Sequence, residues 1–231
     1  MKIMKSIPPG VLGKDYALGR KTKRAWKYRA KRRAYEVIRT IYKYHPSKIN
    51  SILDIGAAEG LMLGFIKKIF SQAECIGLEY SQELIDMNQD KNIKPIQGDA
   101  QNLPFENNSF DIAVAAAIIE HLPDPKKMLE EAKRVLRPNG IIILTSPDPL
   151  WERVATMVGH LADDQHCKLM NLRELVSLFN EIGYEVLEQK KFMLSPIGMP
   201  LEIPIERVVR TFGLNFLFAS QLVVGKKINS G

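Results

Sequence analysis

The chain has 231 residues, of which 45% are hydrophobic, and this size fits one α/β domain with an appendage better than two domains. No apolar run reaches the roughly 18 residues of a membrane span, and the start "MKIMKSIPPG" lacks the apolar stretch of a secretory signal. Two cysteines provide no disulfide framework, so we expect a cytoplasmic protein, and its net charge is +7.

The positive charge is concentrated near the N-terminus. Residues 20–43 hold 11 of the 33 Lys and Arg residues and one of the 26 acids, and they have the spacing of an amphipathic helix that Pro46 would end. Residues 1–19, with several prolines and glycines, are predicted to be a loose arm. We therefore divide the chain into an arm with a basic helix at 1–45 and a main domain at 46–231. The apolar stripe of the helix consists of Trp26, Ala30, Ala34, Val37, Ile38 and Ile41.

The basic helix leaves its partner open. It could bind RNA phosphates, an anionic membrane face or an acidic acceptor. It could also be a lid that packs its apolar stripe on the domain and leaves its basic face in water. No RNA-binding module accompanies the charge, so nucleic acid is not favoured, while peripheral membrane contact stays open. The sequence does not indicate an oligomeric state.

After residue 46, short apolar strands alternate with helical stretches, which indicates βαβ units and a parallel sheet. Helices are predicted at 60–70, 82–90, 124–137 and 171–182. "RPNG" at 137–140 is typical of a helix end followed by a turn. The predicted strands are 50–55, 75–79, 94–97, 110–116, 140–145, 184–194 and 216–225.

Three candidate ligand-binding features follow three of these strands, at the edge where a doubly wound sheet binds ligands. The first strand runs into the turn Gly56-Ala57-Ala58-Glu59-Gly60. The second ends at Glu79, whose carboxylate could accept two hydrogen bonds from a ribose diol. The third ends at Asp99 and Ala100, which could contact an adenine amine and ring nitrogen. Together they describe an adenosine pocket.

An NAD site is the first adenosine site to test. Its fingerprint G-x-G-x-x-G uses the third glycine and the helix N-terminus to bind a pyrophosphate. Here Leu61 stands where that third small residue belongs. An adenosine ligand without phosphate fits better.

In these features the chain resembles the class I S-adenosylmethionine-dependent methyltransferases of the small, single-domain type over residues 35–195. The motifs "LDIGAAEG", "GLEYS", "GDA", "LPFENNSFDIAVAAAIIEHLPDP" and "EEAKRVLRPNGIIILTSP" occur in the order and at the distances typical of that family. The resemblance implies a Rossmann-like, doubly wound sheet of seven strands, the last antiparallel, with helices on both faces. It also implies S-adenosylmethionine as the cofactor.

The resemblance implies roles by position. Backbone at the glycine turn would surround the methionine portion of the cofactor, with Asp54 directly before it. The carboxylate after the second strand would hold the ribose, the third strand end would contact the adenine, and a carbonyl of the fourth strand would accept from the methionine amine. The implied cofactor-binding residues are Asp54, Gly56, Ala57, Gly60, Glu79, Tyr80 (against the adenine face), Asp99, Ala100 and Ala115.

The sequence departs from the family at Ala58, where glycine is usual. If this position requires a positive φ, alanine costs about 1–2 kcal/mol. Because Glu79 and Asp99 are both present, we expect the turn to bind its ligand still.

Two histidines are candidate general bases on the acceptor side. His121 lies in "IIEHLPDP" after the fourth strand, where a structural hydrogen bond is an alternative role, and His166 lies in "DDQHCKLMNLREL" before a helix. "DDQHC" crowds its side chains into one short run, whereas metal sites usually draw ligands from several segments, so no metal is predicted.

The segments that flank the domain indicate which class of acceptor to expect. "SPIGMPLEIPIERVVRTFGLNFLF", at 195–218, is an apolar insertion that could cover a lipid-like substrate, touch a membrane or simply connect to the last strand. The expected function is methyl transfer to a small molecule, either a glycan or a lipid intermediate. The alternatives are an RNA methyltransferase, a non-catalytic module that binds S-adenosylmethionine or a partner, and an NAD-dependent oxidoreductase.

Overall fold

The protein, described by a computed structural model over residues 13–45, 47–157 and 167–228, is built on one seven-stranded sheet. The strand order is β3-β2-β1-β4-β5-β7-β6, and only β7 runs antiparallel to its neighbours, as the family resemblance implies. The strands are β1 Ser51–Ile55, β2 Glu74–Glu79, β3 Lys94–Gln97, β4 Phe110–Ala116, β5 Leu136–Pro147, β6 Tyr184–Phe192 and β7 Ser220–Lys227.

Helices cover both faces of the sheet, which confirms the predicted doubly wound fold. The hydrophobic core on one face contains side chains of the second and third helices in chain order. The core on the other face contains side chains of the fifth and seventh helices. Because both faces are covered, central strands such as β1 are buried along their whole length, and most of their residues are apolar. The helices are α1 Lys14–Thr22, α2 Arg24–Tyr44, α3 Leu61–Ile69, α4 Gln82–Ile85, α5 Pro125–Val135, α6 Pro149–Met157, α7 Leu172–Ile182 and α8 Glu202–Thr211.

The structure corrects several predicted boundaries. Helix α1 begins within the segment 1–19 that is predicted to be a loose arm and continues to Thr22, and the predicted basic helix is interrupted at Lys23, where the backbone is extended. Helix α4 is one turn long and ends at Ile85, whereas a helix to residue 90 is predicted. Helix α5 ends at Val135, and the following "LRPNG" is already extended as part of β5. The last strand begins at Ser220 rather than at residue 216.

Two further helices, α6 and α8, have no counterpart among the predicted elements. Helix α8 lies in the middle of the apolar insertion 195–218. Its Pro204 hides it in the sequence, but proline is tolerated in the first turn because the N–H groups there have no helical acceptor. The insertion is therefore a helical segment between β6 and β7.

Helix α2 packs its apolar stripe on the sheet. This is the alternative in which the basic helix is a lid that packs on the domain. Ala34, Val37 and Ile41 are fully buried in the core beside α3. Several of its bases are used inside the molecule. Arg32 pairs with Glu36 of the same helix, and its Nη2 lies 2.7 Å from Glu206 of α8.

The basic face of α2 is thus only partly free. Arg39 and Lys43 both pair with Glu188 of β6, at 2.9 and 2.8 Å. Arg24, Lys27 and Lys31 remain exposed. Within the described ranges, no helix combines the length and the apolar composition that crossing a bilayer would take.

Candidate functional site

The candidate site lies at the carboxyl ends of the strands, where the strand order reverses between β1 and β4. The loops that follow these two strands contact each other. A Cβ added at Gly56 would lie 2.4 Å from Cδ1 of Ile118, and Gly56 also has a φ of +78°. Only glycine fits here, on both conformational and steric grounds.

The turn after β1 is bound to the end of β2. The N–H groups of Gly56 and Ala57 both donate to the carbonyl of Leu78, at 2.8 and 2.9 Å. Gly60 has a φ of +79° and begins α3. Ala58 has a φ of +50°, so the position where the family usually has glycine does require left-handed backbone.

Glu79 is held at the tip of β2 by two backbone hydrogen bonds. Its Oε2 accepts from the N–H of Ala58 at 2.9 Å, and its Oε1 accepts from the N–H of Ser81 at 3.0 Å. A carboxylate has about four acceptor positions, so two directions remain for a diol. The structure therefore brings Glu79 and the glycine turn together.

Asp99 and Ala100 follow β3 and lie next to Glu79. The N–H of Gly98 donates to the carbonyl of Glu79 at 3.0 Å, which joins the two strand ends. Asp99 is exposed, and its Oδ1 accepts from the N–H of Gln101 at 2.8 Å, whereas Ala100 is buried. Tyr80 directly follows Glu79 in the chain and is half exposed.

Asp54, the last residue but one of β1, is a buried acid next to the turn. Among the described residues, neither of its carboxylate oxygens has a hydrogen-bond partner. Burial raises the pKa of Asp54 to about 7, the nearby Arg20 lowers it and Glu79 raises it. A buried acid of this kind at a ligand-binding edge is a common feature of functional sites.

Arg20 of α1 is a site residue that the sequence reasoning missed. Its Nε lies 3.3 Å from Oε1 of Glu59, and both side chains are almost wholly buried. The two groups pair by charge without the geometry of a hydrogen bond, since the Glu59 oxygens have no hydrogen-bond partner among the described residues. A basic residue 39 positions before its acidic partner gives no local signal in the sequence.

Helix α1 covers the turn. Ala17 of α1, Ala58 of the turn and Leu84 of α4 form one small buried cluster. The Lys14 ammonium lies 2.8 Å from Glu83 of α4, an exposed pair that adds little stability. The turn, α4 and α1 together enclose one side of the candidate site.

The remaining predicted residues lie on the β4 side. Ala115 is fully buried in β4 and is paired with Ile55 of β1, so its backbone is next to the turn. His121 ends a short 3-10 helix at Ile119–His121, and its carbonyl accepts from Sγ of Cys167 at 3.4 Å. His166 lies outside the described residues, as does most of the "DDQHC" run. In the part of the chain that the structure describes, no three His, Cys, Asp or Glu side chains come together as metal ligands.

The part of this edge beyond β5 is formed by α6 and by residues 193–219. The N–H of Asp148, after β5, donates to the carbonyl of Ala219, and the N–H of Ala219 donates to the carbonyl of Met193. These bonds join the end of β5, the end of β6 and the beginning of β7. The predicted apolar insertion therefore emerges at the same edge as the candidate site.

A family profile described as "Methyltransferase domain" matches residues 14–189. The chain is 29% identical over 152 residues to the uncharacterized methyltransferase YcgJ of Bacillus subtilis, covering 60% of this chain and 59% of that protein. It is 37% identical over 82 residues to a demethylmenaquinone methyltransferase of Staphylococcus haemolyticus, covering 33% of this chain and 34% of that one. The chain thus spans between about a third and three fifths of the length of the curated relatives it matches.

The fold also matches solved structures. One is a chain from the complex between the Haloferax volcanii Trm112 methyltransferase activator and a methyltransferase, with a TM-score of 0.70 and 19% identity. The match covers 95% of this chain and all of that one. At this identity the likeness shows the fold alone.

Proposed function

Because this chain belongs to the methyltransferase-domain family and is a class I S-adenosylmethionine-dependent methyltransferase, we propose that it methylates a small, lipid-like acceptor. The proposal has two parts, which are the residues that hold the cofactor and the chemical class of the acceptor.

The site is chemically suited to S-adenosylmethionine. The cofactor has a ribose diol, which suits the two remaining acceptor directions of Glu79. It also has a cationic amine and a sulfonium, which suit the buried carboxylate of Asp54. Asp99, Ala100 and Tyr80 would contact the adenine, and the backbone at Gly56, Ala57, Gly60 and Ala115 would surround the methionine portion.

Arg20 complements this assignment at the methionine end. It is the base that the structure finds beside Asp54 and Glu59. The methionine portion has a carboxylate, and a guanidinium can bind it while its own charge is balanced by the buried acids. We therefore add Arg20 and helix α1 to the proposed cofactor site.

When bound, the cofactor supplies a methyl group on a positively charged sulfur, so that the transfer is an in-line displacement. The protein would contribute mainly alignment of the two reactants, which can be worth about 7–11 kcal/mol. The cover formed by α1 would exclude water from the methionine side. His121, and His166 beyond the described residues, are the proposed bases for an acceptor that must lose a proton.

One observation carries the choice of a lipid-like acceptor. Among the described residues, 15 large hydrophobic side chains are exposed, and nine of these lie in α6 and residues 193–219 on the acceptor side. Exposed apolar side chains that cluster usually mark a binding surface. A polar glycan would not need them. The demethylmenaquinone methyltransferases among the relatives are named for a quinone acceptor, and this supports a quinone as a first compound to test.

RNA is the second candidate acceptor. The exposed bases Arg24, Lys27 and Lys31 of α2 favour it, whereas the internal pairing of Arg32, Arg39 and Lys43 leaves less charge for phosphates. Affinity for tRNA or rRNA that falls steeply with salt would favour this candidate.

The cofactor part is tested by calorimetric titration with S-adenosylmethionine and S-adenosylhomocysteine. We expect binding in the wild type, its loss in Glu79→Ala, and its retention in Glu74→Ala, which changes an exposed acid at the opposite end of the same strand. Equal binding by both variants would contradict the assignment of Glu79.

The acceptor part is tested by transfer of a radiolabelled methyl group to a panel of quinones, polyprenyl compounds, sugars and RNA. Labelling confined to apolar compounds is expected. Labelling of sugars or RNA alone would overturn the lipid-like acceptor and leave the cofactor assignment intact. Binding without turnover on any class would favour a non-catalytic module.

A further inference from the structure

Helix α8 is inverted relative to an ordinary surface helix. Its two acids point inward: Glu202 accepts from the N–H of Ser195 at 2.7 Å, and Glu206 accepts from the N–H of Met193 at 2.8 Å. Large apolar side chains are instead exposed on the helix and at its two ends: Val208 is 56% exposed, and Leu201 and Phe212, which flank the helix, are 75% and 74% exposed. Surface helices normally bury the apolar side and expose the charges. An outward apolar face therefore needs an apolar partner.

This face continues into the neighbouring segments. Residues 212–216 turn back after α8, and the carbonyl of Phe216 accepts from Nε1 of Trp151 in α6 at 3.0 Å. Leu150 and Val154, one turn apart on α6, are exposed as well. We call these exposed side chains the apolar ridge, which consists of Leu150, Val154, Leu201, Val208, Phe212, Leu214 and Phe216.

Among the described residues of α6 and of 193–219, the fully exposed charged side chains are basic, and Glu152 of α6 is partly buried. Both acids of residues 193–219 are the buried Glu202 and Glu206, whereas Arg207 on α8 and Arg153 on α6 are exposed. Helix α2 adds to this charge. A Cβ at Gly198 would lie 2.8 Å from Cδ2 of Tyr28, so the exposed basic side of α2 borders the segment that leads into α8.

We propose that the apolar ridge docks this enzyme on a membrane surface that contains anionic lipids, so that the acceptor side faces the bilayer. The ridge supplies side chains to insert at the headgroup level, and Arg153, Arg207 and the bases of α2 match negative headgroups. A second copy of the chain fits less well, because an isologous contact would bring together two surfaces that both expose the positive charges of Arg153 and Arg207. The inference deepens the proposed function, since it names the place where a lipid-like acceptor is met.

The test is cosedimentation of the full chain with sucrose-loaded vesicles, with no cofactor or acceptor present. One vesicle is pure phosphatidylcholine, and the other contains equal parts of phosphatidylcholine and phosphatidylglycerol. We expect the partition coefficient to be roughly tenfold or more higher on the anionic vesicles and to fall with added salt.

Two variants separate the apolar and the charged contributions. Phe212→Ser with Phe216→Ser should lower the partition coefficient on anionic vesicles roughly tenfold or more. Arg153→Glu with Arg207→Glu should remove the preference for anionic lipid. Ile69→Ser, which changes an exposed side chain at the end of α3, is the matched control and should bind as the wild type does. A cooperative unfolding transition like that of the wild type shows that each variant is folded.

Three outcomes would overturn the docking proposal: no binding to either vesicle, binding of the ridge variant equal to that of the control, or a dimer that the ridge variant dissolves. The last would identify the ridge as an interface between copies of this chain. Because vesicle binding is measured without turnover, each of these outcomes is distinguishable from a failure of the methyl-transfer assay. Vesicle binding with transfer to polar acceptors only would keep the docking and overturn the lipid-like acceptor.

Discussion

Ala58 carries measurable backbone strain in the turn that would hold the cofactor. Its φ of +50° costs an alanine about 1–2 kcal/mol, whereas glycine adopts this conformation freely but loses about 0.5–1 kcal/mol more entropy on folding. Ala58→Gly also removes a methyl group packed against Ala17 and Leu84, so we expect the relief of strain to offset both losses and the free energy of unfolding to change by less than about 1 kcal/mol. Urea denaturation without ligand measures this difference.

Ala57 provides the control for this change. It is the neighbouring buried alanine and lies outside the set of non-glycine residues with positive φ. Ala57→Gly should therefore lower the free energy of unfolding by about 0.5–1 kcal/mol or more, since it adds entropy to the unfolded chain and removes a packed methyl group. Equal losses in both variants would show that Ala58 is not strained.

Asp54 should make stability depend on pH. Its pKa is about 7 in the folded protein, against an ordinary value of 3.8 for an aspartate in water, because burial disfavours the charge. The folded state thus binds the proton more tightly, and stability falls as the pH rises from about 4 to about 7, by at most ~1.4 kcal/mol per pH unit. Asp54→Asn removes this loss, so its advantage over the wild type should grow over that range and then level off.

Asp111 is the control, because its pKa is shifted in the opposite direction. Burial opposes its charge, but bonds from Arg137 and from the N–H groups of Asn50 and Ser51 hold the pKa of Asp111 below its usual value. Its stabilisation is fully present above about pH 4 and is lost on acidification. Asp111→Asn should therefore cost a constant amount between about pH 5 and about pH 8. Denaturation of the ligand-free proteins across this range measures the free energy of unfolding of both variants. A difference between Asp54→Asn and the wild type that does not change with pH would show that Asp54 stays ionised in the folded protein.

At the scale of residues, the sequence predicts the positions of side chains that follow strands, and it misses side chains that a distant segment of the chain brings to the same edge of the sheet. Glu79 and Asp99 could be placed because carboxyl ends of adjacent parallel strands meet at one edge. Arg20 could not, because its position depends on how α1 folds back over the turn. Its partner Glu59 looks like an ordinary residue of the helix start for the same reason.

The contact between α2 and α8 rests on a buried ion pair. Arg32 and Glu206 lie 2.7 Å apart, and their side chains are 4% and 6% exposed. Arg32→Met leaves Glu206 buried without its cation, and we expect a loss of about 3–5 kcal/mol in the free energy of unfolding. Adding Glu206→Gln should restore at least ~1 kcal/mol, because the buried charge is then gone while an acceptor for the Met193 N–H remains.

Arg39 is the matched control on the same helix. It also pairs with Glu36, but its side chain is 40% exposed, so Arg39→Met should cost less than about 1 kcal/mol. Chemical denaturation of the four proteins completes the comparison. A loss in Arg32→Met no larger than in Arg39→Met would mean that the buried pair does not hold α8 in place.

At the scale of elements, the sequence predicts the strands well and the flanking helices poorly. Strands buried on both faces are mostly apolar, and such runs are visible without any tertiary information. Helices α1 and α8 are short, and Gly19 in one and Pro204 in the other obscure their helical spacing. Helix α8 also departs from the usual pattern of burial, because Glu202 and Glu206 have partners inside the molecule while Val208 is exposed. Its form follows from tertiary contacts rather than local propensity.

At the scale of the whole molecule, the two ends of the site have different coverings. The side proposed for the methionine portion is enclosed by α1, with Arg20 and Ala17 buried against the turn. The side proposed for the acceptor ends in the exposed apolar ridge of α6 and of residues 201–216. Under the proposed function, the same chain would present a closed cover to a charged, water-soluble cofactor and an open apolar surface to the acceptor. Such a division suits an enzyme whose two substrates come from different phases.

Cofactor binding should stabilise the whole fold, because the proposed site joins α1 to the strand ends of β1, β2 and β3. A ligand at a hundred times its dissociation constant adds about 2.7 kcal/mol to the free energy of unfolding. For a chain of this size that raises the unfolding midpoint by roughly 5–10 °C. Thermal unfolding with S-adenosylmethionine, S-adenosylhomocysteine and NAD measures it, with Glu79→Ala as the control that should not respond. If NAD raised the unfolding midpoint and the other two ligands did not, the pocket would be a dinucleotide site, which is the class that Leu61 argues against.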